Sequence, residues 1–452
     1  MMRILLVRPG YESIFSHMDI VTVEPLELEI LSTVAAQAGH QCRIWDGVVQ
    51  EEPYVPVLQK FRPDLVAITG YITQKNSICR YAETAKKVIP GVKVIIGGVH
   101  AELNYRDFYG PAVDFIVHSG GIKPFQKLIG REDLSPQGIG GICFRQDDET
   151  WVFHEKIQMD PDEIPIPDRS FFYAHQDHFH YAGLGPCATV KTAYSCPGRC
   201  NFCYCCLLNG GKYVCRDLEK TVEEIAAIDC DYIWILDDIF YLDPGRIRGF
   251  ARLIKERGIQ KNFIVYYRAD FIAENEELIV LLKNIGLKMV LVGLEAFDDD
   301  RLGEYHKQTS CAVNEKCLDI LKKHGIGCTG LFILDIDATK KDFDILARYV
   351  KKHRLALATA AILTPLPGTA QYEKFKDRLI TDDPRQWDFL HLVAAPGNMR
   401  KGRFYFEFYR FYVQVLRMNQ GKWLLHLGRA FIKGLRQKLS FMGRGNAKVG
   451  PS

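Results

Sequence analysis

The chain has 452 residues, 47% hydrophobic and 25% charged, an ordinary globular composition with room for two or three domains that have cores of their own. It contains no run of about eighteen apolar residues, so no membrane-spanning helix is expected, and fourteen cysteines in so long a chain do not read as a secreted disulfide framework. Net charge is +3, yet from Arg400 onward twelve Lys and Arg stand against Glu407 alone, which makes the tail +11 and leaves −8 on residues 1–399.

In chain order, "MMRILLVRPG" opens as a buried strand. It lacks the longer apolar core and cleavage site of a secretory signal, so the cytosol is the expected compartment. A helix over "PLELEILSTVAAQAGH" follows, then strand "QCRIWD", helix "YVPVLQKF", strand "PDLVAITGY", helix "SICRYAETAKKVIP", strands "VKVIIGGVH" and "VDFIVHSGG", and a helix starting at "IKPFQKLIG". Continuous apolar strands alternating with helices predict an α/β domain over residues 1–138, built on a doubly wound parallel sheet. Ligands bind such sheets at the carboxyl ends of the strands, here residues 8–10, 46–47, 69–72, 97–100 and 118–121. Residues 139–185 read as a connection. It holds a small hairpin, "GGICFRQDDETWVFHE", and "PDEIPIPDRSFF", whose prolines disfavour a helix interior.

Strand and helix then alternate again. "TVKTAYS", "YIWILDD", "NFIVYYRAD", "MVLVGLEAF", "CTGLFILDID" and "LATAAILTPL" read as strands separated by amphipathic helical stretches. Six such units predict a partial α/β barrel over residues 186–385, since a full eight-unit barrel takes about 250 residues. Chemistry in such barrels sits at the carboxyl ends of the strands, and Cys196 comes directly after the first. Residues 386–452 read as a basic helical region. Its stretches "RFYFEFYRFYVQVLRM" and "KWLLHLGRAFIKGLRQKL" are aromatic and amphipathic. Their apolar stripes either cover the barrel, with the cations facing water, or rest on an anionic membrane or a lipid-like substrate. Nucleic acid is not the expected partner, because the cations are interleaved with long apolar runs.

The stretch "SCPGRCNFCYCC" carries the chemistry. Cys196, Cys200 and Cys203 are spaced C-x3-C-x2-C. Four thiolates complete a cubane iron–sulfur cluster, so a loop offering three leaves one iron open to chelate a small molecule and pass it an electron. Zinc would want a fourth Cys or His at regular spacing, which Cys205 or Cys206 would have to supply.

"CPGRCNFC" resembles the signature of the radical S-adenosylmethionine (SAM) superfamily. "ILDDIFYLDP", "YYRADFI", "VLVGLEAFDDDRL" and "ILTPLPGTAQYE" resemble its later strand motifs in order and spacing. "RILLVRPG", "AGHQCRIWDG", "RPDLVAITG", "VKVIIGGVHAE" and "VDFIVHSGG" resemble the cobalamin-binding domain that precedes this barrel in one large subfamily. The resemblance covers about residues 1–385. It implies that Cys196, Cys200 and Cys203 ligate a 4Fe–4S cluster, with SAM on the fourth iron. One electron then cleaves SAM to a 5′-deoxyadenosyl radical that abstracts a substrate hydrogen. Phe202 would lie against the adenine, or be a core aromatic beside the loop. Glu295 would hold the SAM ribose or ammonium, or sit in a structural salt bridge. Arg268, near Asp270 at another strand end, would clamp the SAM carboxylate as a fork. Of Asp237 and Asp238, one would meet the methionyl ammonium and the other cap the next helix. Pro365, Pro367 and Gly368 would shape a loop.

Outside the signature, Cys205, Cys206 and Cys215 pack under the loop, accept a methyl group or hold a second cluster. Tyr204 and Tyr213 are placed to relay a hydrogen atom. In the first domain Gly97 and Gly98 would let backbone approach a cobalamin nucleotide tail, with Thr69 and Thr73 hydrogen-bonding to it. No Asp-x-His-x-x-Gly element supplies an axial histidine, as is usual for the subfamily. "VHSGGIKPF" and "LFILDID" depart from the family's usual turns. The function implied is cobalamin-dependent methylation of an unactivated centre in a small-molecule substrate, fed by an electron donor such as flavodoxin or ferredoxin. The rivals are a cobalamin-free dehydratase or cyclase with an empty first domain, and a non-enzymatic iron–sulfur or zinc protein.

Overall fold

A computed structural model describes residues 1–10, 21–50, 52–147, 150–355 and 357–418. The second amphipathic stretch of the tail, from Lys422 on, lies outside the described residues.

In chain order the strands are β1 Arg3–Arg8, β2 Val21–Thr22, β3 Gln41–Asp46, β4 Leu65–Thr69, β5 Lys93–Gly97, β6 Phe115–Val117, β7 Ile142–Arg145, β8 Trp151–Phe153, β9 His180–Tyr181, β10 Cys187–Val190, β11 Ala193–Tyr194, β12 Val214–Cys215, β13 Tyr232–Ile235, β14 Asn262–Arg268, β15 Leu287–Glu295, β16 Gly327–Leu334 and β17 Leu357–Ile362. The first sheet runs β3-β1-β4-β5-β6-β7-β8. Its first five strands are parallel, as the unbroken apolar runs predict: Ile4, Leu5, Leu6 and Val7 are wholly buried, because helices cover both faces. The strand order reverses between β1 and β4, and in doubly wound sheets the ligand crevice opens at that point. The hairpin β7–β8 does not stand free in the connection. It pairs antiparallel onto β6, so the sheet is mixed rather than wholly parallel.

The second sheet has six parallel strands in the order β10-β13-β14-β15-β16-β17, an open partial barrel. Two details of the sequence reading change here. "TVKTAYS" is not one strand: β10 stops at Val190, and Ala193–Tyr194 turns away to pair antiparallel with β12. β14 ends at Arg268, and a short helix, Ala269–Glu274, begins at once, so Asp270 lies in its first turn rather than at a strand end. The outer helices follow their caps and stripes. Helix Lys340–His353 opens with a capping box between Thr339 and Asp342, worth about 1 kcal/mol, and buries Phe343, Leu346 and Val350. Helix Lys401–Met418 lays Phe404, Phe408 and Phe411 on the barrel, where Phe404 meets Phe343 edge-on at 5.3 Å. For this half of the tail, therefore, the apolar stripe covers the barrel. Among the described residues no helix is long and apolar enough to cross a membrane.

A buried polar cluster ties the two sheets together. Arg169 of the connection donates to Glu24 at 2.9 Å and to Glu224 at 2.7 Å, and Arg216 donates to Glu224 at 2.6 Å. Glu24 also accepts from the Thr189 hydroxyl of β10 at 2.6 Å, while Glu29 accepts from the Phe172 amide at 2.8 Å. Burial, reinforced by the charge of Glu24, pushes the Glu29 carboxyl up to about 9. The raised Glu29 carboxyl eases the burial of three acidic side chains beside two guanidiniums.

Candidate active site

The cluster loop leaves β11 at Tyr194, over the carboxyl ends of the barrel strands, and returns at β12. Cys196, Cys200 and Cys203 are all half-buried in it. The Gly198 amide donates to Cys196 Sγ at 3.4 Å and the Cys203 amide to the Cys200 carbonyl at 3.2 Å, a tight wrap with little room beside the sulfur. Burial pushes the Cys196 and Cys200 thiols up. The Gly198 amide and Arg268 offset this at Cys196, and Lys307 and Arg268 offset it at Cys200. Cys203 is drawn down, chiefly by the neighbouring Cys205 thiol. Cys206 donates to the Cys203 carbonyl at 3.2 Å and so braces the loop backbone. Cys215 lies in β12, outside the three-thiol group.

The structure redistributes the other predicted residues. Asp237 does not face the cleft. It is 1% exposed, and its carboxylate accepts from the Thr192 amide at 2.6 Å, the Thr192 hydroxyl at 2.5 Å and the Ala193 amide at 2.9 Å. Both oxygens are engaged, so Asp237 ties the end of β10 to β13 rather than opening onto the cleft. Burial pushes its carboxyl up to about 6 against those hydrogen bonds. Neither Asp237 nor Asp238 caps the next helix: Asp243 does, accepting from Arg246 at 2.6 Å. Asp238 keeps some exposure, accepts from the Ser195 amide at 2.9 Å and stands 3.5 Å from Lys191.

Glu295 occupies a β-bulge at the end of β15 with φ at +58°, a left-handed conformation unusual for a non-glycine residue and typical of places where a strand re-aims a side chain. Its carboxylate accepts from Lys307 at 2.6 Å, and the pair is buried. The sequence reading left such a salt bridge open beside a role in holding SAM. Burial works against the Lys307 charge, but Glu295 and Cys200 more than reverse it and keep the ammonium protonated. Sequence reasoning missed Lys307, which lies outside every quoted motif. Gly293 carries a faint signal: a Cβ there would come within 2.8 Å of Lys307 Nζ. The Arg268 fork is also already engaged, by Asp270 through Nε at 3.0 Å and Nη2 at 2.6 Å; only Nη1 is left, lying against Gly198. Phe202 packs edge-on to Tyr305 at 5.5 Å, beside the barrel core. Tyr204 packs against the cluster of Leu366, Trp387 and Val393, and Tyr213 stands next to β12. Trp387 donates to the Pro365 carbonyl at 2.8 Å, and Gly368 takes φ at +93°, so this segment is a loop-shaping element.

In the first domain Thr69 and Gly97 are register partners at the carboxyl ends of β4 and β5. Gly98 follows with φ at +97°, and a Cβ there would run into the Thr69 hydroxyl and lie 3.2 Å from Gly70 N. At Gly97 an added Cβ would find only Val117, at 3.8 Å. Thr73 lies in the 3-10 turn Ile72–Gln74 just beyond β4.

Comparison with known proteins bears on both regions. The B12 binding domain family matches residues 21–129, and the radical SAM superfamily matches residues 190–350. The chain carries a radical SAM domain behind a B12-binding domain. The hopanoid C-3 methylase of Methylococcus capsulatus is 25% identical over 419 residues, covering 90% of this chain and 78% of the relative. An uncharacterized methyltransferase of Pyrococcus horikoshii is 28% identical over 397 residues, 82% of this chain and 83% of the relative. Among solved structures, the radical SAM methyltransferase TsrM of Kitasatospora setae, with cobalamin and a 4Fe–4S cluster bound, superposes with a TM-score of 0.69 at 15% identity, covering 96% of this chain and 99% of TsrM. OxsB, with aqua-cobalamin and SAM bound, gives 0.71 at 15% identity over 90% of this chain, which spans 66% of OxsB. At that identity the likeness is one of fold.

The residues present fit both cofactors. In the radical SAM domain three thiols of one loop, with Arg268 and Lys307 beside them, have the chemistry that a cluster lacking its fourth thiolate needs. Among the described residues no three His, Cys, Asp or Glu, the three cysteines included, converge on a single metal ion. In the B12-binding domain the Gly97–Gly98 edge offers bare backbone beside the Thr69 hydroxyl at the sheet's carboxyl end.

Proposed function

We propose that the chain is a radical SAM enzyme that methylates an unactivated centre of a small-molecule substrate, with cobalamin as methyl carrier. The observation that carries this reading is a juxtaposition: the carboxyl edge of the B12-binding sheet and the three-thiol loop of the barrel are held together, with Glu102, four residues after Gly98, accepting from the Asn209 amide of the loop segment at 2.6 Å. The methylase and methyltransferase names of two relatives support it. Bound here, the cluster would supply the electron that cleaves SAM, and cobalamin the methyl group.

The chain's own residues do the rest. Cys196, Cys200 and Cys203 hold iron. Arg268 and Lys307 favour the thiolate form of Cys196 and Cys200. Asp238, in place of Asp237, is the carboxylate offered to the methionyl ammonium, and Glu295 reaches SAM only by way of its pair with Lys307. Trp234, Ile264, Tyr266, Leu291 and Leu331 line the inner face of the barrel and exclude water from a radical. A flavodoxin- or ferredoxin-type donor in the cytoplasm completes the scheme. The exposed Phe406, Tyr409 and Val413, followed by a tail without a further acidic residue, support peripheral contact with an anionic membrane surface.

Anaerobic purification with hydroxocobalamin, followed by reduction in the presence of SAM, tests the reading. Bound cobalamin and release of 5′-deoxyadenosine are expected. Absence of cobalamin overturns methylation in favour of a cobalamin-free dehydration or cyclisation. Absence of 5′-deoxyadenosine at confirmed cluster content overturns the enzyme.

A further inference from the structure

We propose that Glu102 is a positioning residue that couples the cobalamin edge to the cluster loop, an inference that rests on the function proposed above. Glu102 belongs to the helix Val99–Asn104, which begins directly after Gly97–Gly98, and its own amide donates to the Gly98 carbonyl at 3.0 Å. Its carboxylate crosses to the barrel and accepts from the Asn209 amide at 2.6 Å. Asn209 is a fixed point. It is buried, takes left-handed angles (φ +53°, ψ +33°), accepts from the Met159 amide at 3.0 Å and donates to the Lys212 carbonyl at 3.0 Å. It stands three residues beyond Cys206, whose thiol braces the carbonyl of the iron ligand Cys203. On the other side Gly98 leaves no room for a side chain beside Thr69 and Gly70, and the Gly98–Glu102 hydrogen bond ties that edge to the helix carrying the Glu102 carboxylate. A displacement on either side therefore reaches the other through one carboxylate oxygen. Energetic coupling between two sites is reciprocal, and factors of about 5 to 150 are typical.

An ordinary interdomain hydrogen bond would add stability and nothing else. The measurement that separates the two is hydroxocobalamin affinity by equilibrium dialysis, on the full chain, with and without the reconstituted cluster and SAM. In the wild type the two affinities differ by fivefold or more. Glu102→Gln keeps the ratio, because its amide oxygen still accepts from Asn209. Glu102→Ala brings the ratio to within about twofold of one, by loss of that coupling factor. Glu102→Asp, whose carboxylate is pulled back by one carbon, does the same and serves if the alanine variant does not fold. A wild-type ratio of one, or an unchanged ratio in whichever of the two disrupting variants folds, overturns the coupling and leaves the proposed function standing. Wild-type protein that binds no hydroxocobalamin in either state overturns the proposed function, and the coupling with it.

Discussion

Gly98→Ala is expected to destabilise the carboxyl end of the first sheet, while Gly97→Ala, one residue away, leaves its stability intact. At Gly98 the backbone sits at φ +97°, ψ −178°, a region open almost only to glycine. Holding alanine there costs about 1–3 kcal/mol. The added Cβ also overlaps the Thr69 hydroxyl and lies 3.2 Å and 3.3 Å from Gly70 N and O. Two of these three neighbours are backbone, so the ends of β4 and β5 must part, at a further cost of about 1–3 kcal/mol for overpacking. At Gly97 the nearest atom is Val117 Cβ at 3.8 Å and φ is not positive, so alanine meets neither penalty. There the loss of chain entropy in the unfolded state stabilises by about 0.4–1 kcal/mol. Urea unfolding reads the stability and equilibrium dialysis the hydroxocobalamin affinity. Gly98→Ala should lose about 2–6 kcal/mol of stability, and its hydroxocobalamin affinity should fall as the strand ends part. Equal effects of the two substitutions would refute the reasoning.

Three further outcomes are expected. Lys307→Met leaves Glu295 buried without its partner and should cost about 3–5 kcal/mol in urea unfolding; the double variant with Glu295→Gln should recover part of that loss. Burial raises the Asp237 carboxyl to about 6, so between about pH 4 and pH 6 the folded state binds more protons than the unfolded state, and this residue's contribution falls as pH rises through that window. Relative to wild type, Asp237→Asn should therefore gain about 2 kcal/mol between pH 4 and pH 7, read from unfolding at both pH values. Phe408 is 1% exposed and Phe406 58%, so thermal melts should show Phe408→Ala losing about 3–5 kcal/mol and Phe406→Ser changing stability by no more than about 0.5 kcal/mol.

Much of the fold was legible because its signals are local. Apolar runs such as "RILLVR" and "LVAIT" have the length and composition of strands covered on both faces, and the stripe of "KKDFDILARYVKKH" follows directly on its Thr339 cap. The cysteine loop was legible because three thiols at fixed spacing have few other uses. Sequence did not reveal who meets whom across the fold. Whether Asp237 or Asp238 faces the cleft depends on one step of strand alternation and on Thr192, which lies in a different segment. That Glu295 is already paired depends on Lys307, twelve residues on and past the end of the motif that holds Glu295. The hairpin β7–β8 looked like a linker because antiparallel pairing onto β6 leaves no trace in its own composition.

The central claim is that three cysteines, and only those three, prepare an iron for SAM. The most direct test measures 5′-deoxyadenosine release from anaerobically reconstituted, chemically reduced protein in two variants. Cys203→Ala should abolish release, and Cys206→Ala, whose thiol only braces the Cys203 carbonyl at 3.2 Å, should leave it measurable. Equal loss in both variants with the fold intact, or undiminished release from Cys203→Ala, would contradict the account.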